Sequence, residues 1–156
     1  MSRPPRSYSR LAQGLVLAQF ALAAALFLTT PWGSLGQGGR GWLAVGLLGV
    51  GGCWAIWAWA TMGWRRLRVM PHPDPQGALL QHGPYRWTRH PMYGGLLLAS
   101  LGCWVAEPSW PRGGLWLCLA GVLLTKLQLE ERLLAAHFAD YPAYRRRTWS
   151  LFPGLW

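Results

Sequence analysis

The chain has 156 residues, of which 52% are hydrophobic and only 13% charged, with twelve tryptophans and a net charge of +10. So apolar and indole-rich a composition is unusual for a water-soluble domain and makes the bilayer the expected solvent. The positive charge alone would suit a nucleic acid, but its positions follow the apolar runs, so membrane lipids are the expected counter-charge and no nucleic-acid partner is expected.

In chain order, Leu11 to Thr30 is the first apolar run and carries no charge. A helix needs roughly 20 such residues to cross about 30 Å of hydrocarbon. Its basic lead-in partly resembles a secretory signal, but the run exceeds the roughly 7–15 residues of a signal core, so a retained span is expected. Gly41 to Gly63 predicts a second span. Its glycines, Gly46, Gly49, Gly51 and Gly52, lie inside an apolar helix rather than after a strand, which excludes a dinucleotide-binding reading and predicts close helix packing instead.

Two shorter apolar runs, 92–106 and 113–129, are separated by Glu107, Pro108, Pro111 and Arg112 and read as a tight helical hairpin. Cys53, Cys103 and Cys118 all fall within apolar runs, without CxxC or His-rich spacing, so neither a disulfide framework nor a metal site is expected. The expected fold is therefore all-α: a polytopic membrane protein of about four transmembrane helices forming one membrane domain over 1–156.

Thirteen of the fifteen Lys and Arg residues lie on one side of these spans. Arg3, Arg6 and Arg10 precede the first, Arg65, Arg66, Arg68, Arg86 and Arg89 follow the second, and Lys126, Arg132, Arg145, Arg146 and Arg147 lie at or beyond the end of the fourth. The positive-inside rule then predicts both termini and the 64–90 loop to be cytoplasmic. Trp32, Trp42, Trp64, Trp110 and Trp116 cluster near span ends, where indole suits the headgroup level.

The chemistry-bearing residues share that face. Residues 77–93 read GALLQHGPYRWTRHPMY, with a turn signal at Gly83-Pro84 and a helix start at Pro91, whose missing N–H costs nothing at the first helical position. The positive end of such a helix attracts a carboxylate or phosphate. Glu130 and Glu131, two of only five acids, close the fourth run. Consecutive helical positions point about 100° apart, so at most one of the pair is expected to face a site shared with the motif. Lys126, one turn earlier, is within pairing reach of Glu130.

The ordered set Gly83-Pro84-Tyr85-Arg86-Trp87-Thr88-Arg89-His90-Pro91-Met92-Tyr93, an apolar hairpin, Glu130-Glu131, Tyr141-x-x-Tyr144 and Phe152-Pro153 resembles the isoprenylcysteine carboxyl methyltransferase family. The related phospholipid methyltransferases share the His-Pro-x-Tyr and Glu-Glu elements. The resemblance covers about half the chain, from Gly77 onward. It implies transfer of a methyl group from S-adenosylmethionine to a lipid-like, amphiphilic or lipidated substrate, in a cytoplasmic cofactor pocket built by residues 77–156.

Matched position by position, the resemblance assigns cofactor contacts to Gly77, Ala78, Leu79, Leu80, Tyr85, His90, Pro91, Met92, Tyr93 and Glu130. It assigns catalytic roles to Arg89, His90, Tyr93 and Glu131, and substrate contacts to Lys126 and Tyr144. The family's substrate-contacting arginine falls on Lys126, which keeps the charge without the planar bidentate fork. After Glu131 the Phe138-Ala139-Asp140-Tyr141 segment is one residue shorter than the family's pattern. A phospholipid amine or small thiol remains an alternative acceptor, and a non-catalytic lipid- or partner-binding membrane protein an alternative of another class.

Overall fold

A computed structural model describes residues 6–63 and 79–154, with only the backbone described for 6–9. Gly77, Ala78 and the first part of the expected cytoplasmic loop lie outside the described residues. Five α-helices follow in order: α1 (Arg6–Leu28), α2 (Gly38–Met62), α3 (Pro91–Ala106), α4 (Trp110–His137) and α5 (Tyr141–Arg147). Short 3-10 turns at Trp32–Ser34 and Gly83–Arg86 lead into α2 and α3. Among the described residues there is no strand, only an isolated parallel bridge between Thr88 and Trp149.

Within α1 and α2, Arg10–Leu28 and Gly38–Met62 are long and apolar enough to cross a membrane. Both present large apolar side chains outward, among them Leu17, Phe20 and Leu28 on α1 and Trp42, Val50 and Ile56 on α2. Such a surface is unfavourable in water and natural against lipid tails. At the end of α1 the Thr29 and Thr30 hydroxyls donate back to the carbonyls of Ala25 (2.7 Å) and Leu26 (2.8 Å), satisfying acceptors that the helix end leaves open.

Helix α3 is short, 16 residues, and rises about 24 Å at 1.5 Å per residue. It packs most extensively on α2, while α4 packs chiefly on α1. Backbone-to-backbone approach makes the α2–α3 contact: a Cβ on Gly95 would lie 2.6 Å from the Gly51 carbonyl oxygen, and one on Gly51 would collide with the Ala99 amide. Of the four glycines expected to serve this purpose only Gly51 does. Gly46 and Gly49 instead floor an open apolar groove with Cys53, Trp54 and Trp57, and a Cβ on Gly52 would meet open space. The complementary glycines are on α3, where no reading of α2 alone would find them.

The shared core joins Leu26 of α1, Leu97 and Cys103 of α3, Leu119, Leu123 and Leu127 of α4, and Leu151 of the tail. At the hairpin, buried Arg112 donates to the Glu107 carbonyl (3.2 Å) and to the Thr29 carbonyl, fastening the end of α1 to the α3–α4 turn. Trp116, one of the tryptophans near a span end, packs inward with its indole N–H on the Leu97 carbonyl at 3.1 Å.

The fourth run corrects the expected boundary. Helix α4 does not end near residue 129 but continues to His137, so Glu130 and Glu131 lie within it with two turns beyond them. Apolarity stops at Leu129, but Glu, Arg, Leu and Ala are all good helix formers and carry the backbone on.

Candidate active site

Two loops and two helices converge at the start of α3. His90 is its N-cap residue by position, yet its side chain makes no capping hydrogen bond, so the imidazole is turned to other partners. The backbone amides of Arg89 and His90 instead donate to the carbonyls of Trp149 (2.8 Å) and Ser150 (3.0 Å), and Trp149 N–H donates to the Trp87 carbonyl (2.9 Å). The tail after α5 is thereby laid against the motif loop. A Cβ on Gly94 would stand 2.6 Å from the Leu151 carbonyl oxygen, so this position needs glycine for the tail to lie there.

Both glutamates reach the motif, contrary to the expectation that one would turn away. His90 bridges them: Nδ1 is 3.5 Å from Glu130 Oε2, and Nε2 is 3.7 Å from Glu131 Oε1. An imidazole carries nitrogens on two edges and so spans an angle that a single-headed partner would not. Tyr93, one turn into α3, stacks parallel to His90 with ring centroids 5.6 Å apart, and its hydroxyl donates to Glu130 Oε1 at 2.5 Å. Arg89 Nε donates to Glu131 Oε1 at 2.6 Å, and its Nη1 donates to the carbonyls of Arg145 (3.2 Å) and Thr148.

Lys126 does not pair with Glu130. Its Nζ donates to Gln19 Oε1 on α1 at 2.6 Å and stands 5.0 Å from the Tyr93 ring centroid. Tyr93 already holds the near oxygen of Glu130, and the lysine stem rises toward α1, the helix on which α4 packs. Tyr144 is buried, and its hydroxyl donates to the Tyr85 carbonyl at 2.7 Å, clamping α5 to the 3-10 turn. Pro91 is buried, and Met92, Leu79 and Leu80 are half-buried near the same end.

Electrostatics follow from this enclosure. Burial works against a charged His90, but Glu130 and Glu131 on its two faces outweigh it and raise the imidazole above its ordinary value. Burial likewise opposes ionisation of Glu131, yet His90 and Arg89 more than compensate and hold its carboxyl down to about 2. Burial pushes the Tyr85 hydroxyl up, helped by Tyr144 and Glu130, and pushes Tyr144 up to about 12 against the pull of Arg89 and Arg147. Those phenols are therefore hydrogen-bond donors at neutral pH. Three buried polar atoms, His90 Nε2, the Tyr141 hydroxyl and Trp54 Nε1, lack a close hydrogen bond among the described residues, and the first two interact only loosely with Glu131. A buried group left so is a natural contact for a ligand.

Sequence reasoning missed Gln19, Arg145 and the 148–150 strap. Gln19 had a faint signal, one of two amides, with Gln13, in an apolar run; Arg145, 3.6 Å from Glu131 through Nε, was hidden in a basic cluster.

The chain thus joins two membrane-length helices to an enclosed His–Tyr–Arg–Glu cluster at a proline-started helix, a polar site at one end of a helix bundle. The phospholipid methyltransferase family matches residues 40–141, and the chain belongs to that family of integral membrane methyltransferases, which includes isoprenylcysteine carboxyl methyltransferase-like members. The chain is also 31% identical, over 155 residues, to the cobalt-zinc-cadmium resistance protein CzcN of Cupriavidus metallidurans. The alignment covers 94% of this chain and 64% of that relative's length. No solved structure matches it significantly.

Proposed function

We propose that this protein transfers a methyl group from S-adenosylmethionine to an anionic amphiphile that enters from the lipid, with four spans and the site on the cytoplasmic face. The observation that carries this reading is the convergence of His90 and Tyr93, from the first turn of α3, on Glu130 and Glu131. His90 Nε2 and the Tyr141 hydroxyl, loosely held beside Glu131 and set among carboxylates and protonated phenols, suit a ligand that is both zwitterionic and aromatic.

When bound, S-adenosylmethionine would supply an electrophilic methyl carbon, with the sulfonium sulfur keeping the bonding pair as the methyl group passes to the acceptor. The chain's task is to hold the partners in line and keep water out. Glu130, oriented by the Tyr93 hydroxyl, supplies counter-charge for the ligand's cationic groups. Arg89 fixes Glu131, and that pair fixes His90 from its far side. Leu79, Leu80, Tyr85, Pro91 and Met92 would wall the cofactor, together with Gly77 and Ala78. Tyr144 works as a clamp on Tyr85, and Lys126 faces the acceptor.

A carboxyl held near 2 is a poor proton acceptor, so Glu131 acts as an anchor rather than a base. A carboxylate or thiolate acceptor needs no base, whereas a phospholipid amine must lose a proton, which favours the anionic class. Calorimetry on the purified protein in lipid nanodiscs tests the reading. S-adenosylmethionine should bind, and Glu130→Ala should weaken binding at least tenfold; absence of binding by the wild type sinks the proposal.

A further inference from the structure

Helix α1 lies ahead of the family match, and no motif marks any residue on it. Yet Gln19 is 9% exposed, and its Oε1 takes a hydrogen bond from Lys126, itself 6% exposed. An ammonium has three N–H donors. Among the described residues only Gln19 accepts one, while the Tyr93 ring faces the charge at 5.0 Å. Two open donors on a cation enclosed by apolar helices are unfavourable unless a ligand takes them.

We propose that Gln19 is a positioning residue that sets acceptor selectivity: its amide oxygen fixes the Lys126 ammonium so that the two remaining N–H groups meet the anionic group, carboxylate or phosphate, of the methyl acceptor. The proposal rests on the methyltransferase reading above. A neutral amide is the side chain this task requires. It holds the ammonium by one bond and leaves the whole positive charge for the ligand. A glutamate of the same shape would cancel that charge. A leucine would leave the ammonium without its anchor, so its donors would no longer be held toward the ligand, while Glu130 stays bonded to Tyr93.

The test uses the full chain in nanodiscs of zwitterionic lipid, with dodecyl phosphate and N-acetyl-S-farnesylcysteine as anionic probes and dodecanol as the uncharged control. The two probes distinguish a phosphate from a carboxylate acceptor. The wild type should bind at least one anionic probe more tightly than dodecanol. Loss of one charge-assisted contact predicts about tenfold weaker probe binding in Gln19→Leu. Cancelling the charge predicts a loss of about thirtyfold or more in Gln19→Glu, although that variant keeps the shape and the bond to Lys126. Affinity for S-adenosylmethionine should stay within about twofold of wild type in both variants, since among the described residues Gln19 hydrogen-bonds to Lys126 and to none of the residues assigned to the cofactor.

A packing role predicts the opposite ranking, with Gln19→Glu nearer to wild type than Gln19→Leu. That ranking, equal probe binding by all three proteins, parallel loss of S-adenosylmethionine binding in both variants, or wild type showing no preference over dodecanol would each overturn the assignment. If the wild type binds no S-adenosylmethionine, the methyltransferase reading falls, while the ranking of the probes still decides the role of Gln19.

Discussion

Arg89→Met removes a cation that three groups hold. Arg89 is 9% exposed, bonded through Nε to Glu131 and through Nη1 to two tail carbonyls. Deleting one partner of a buried ion pair costs about 3–5 kcal/mol, because the other charge stays buried. Arg145 stands 3.6 Å from the second Glu131 oxygen, but its side chain is 59% exposed. A partner that exposed returns at most about 1 kcal/mol, leaving a net loss of about 2–4 kcal/mol. In a chain of this size that lowers the unfolding midpoint by roughly 5–15 °C. Tryptophan fluorescence during heating in detergent reads the shift, with Glu131→Gln and the double variant completing a cycle. Arg89→Lys should fall between, since lysine restores the charge but not the fork. A shift under about 2 °C for Arg89→Met, or strict additivity in the double variant, would refute the view that this pair holds the tail to the motif.

The same carboxylate gives a pH dependence. Because its folded value is depressed, from an ordinary 4.5 to about 2, its stabilisation is complete above about 4.5 and fades as pH falls toward 2; Glu131→Gln should flatten that limb of a stability–pH curve. His90 runs the other way. Its raised value means its contribution is full below about 6.5 and is lost as pH rises through the folded value, so His90→Gln should remove an alkaline loss of stability followed by the same fluorescence. Tyr93→Phe deletes a charge-assisted hydrogen bond to Glu130 and should weaken S-adenosylmethionine binding about 10- to 100-fold by calorimetry. Gly51→Leu should prevent α2 from seating on α3, giving protein that inserts but migrates as aggregate in size-exclusion chromatography.

Much of this arrangement was legible because it is local. Long apolar runs set α1 and α2, and Pro91 began α3 where a proline can. The motif and the glutamate pair were found from their order along the chain. What escaped depends on contacts across distance. The end of α4 was misjudged because polarity changes at residue 130 while helix propensity does not. Both glutamates reach the motif because His90 has two nitrogens, which a count of helical angles ignores. The partner of Lys126 lies 107 residues away on a helix whose own pattern says only that it is apolar. The Thr88–Trp149 pairing has no periodic signal, since a single bridge leaves no alternation to read.

The strap from Trp149 and Ser150 onto the motif also orders events in time. Glu131 follows Arg89 by 42 residues, and the two carbonyls that complete its shell follow by 56 and 59. At roughly 5–20 residues per second of synthesis, the guanidinium emerges several seconds before its last partners exist. During that interval it has only lipid phosphate and water to pair with. The shell around Arg89 is thus completed last, by residues that follow the helical hairpin.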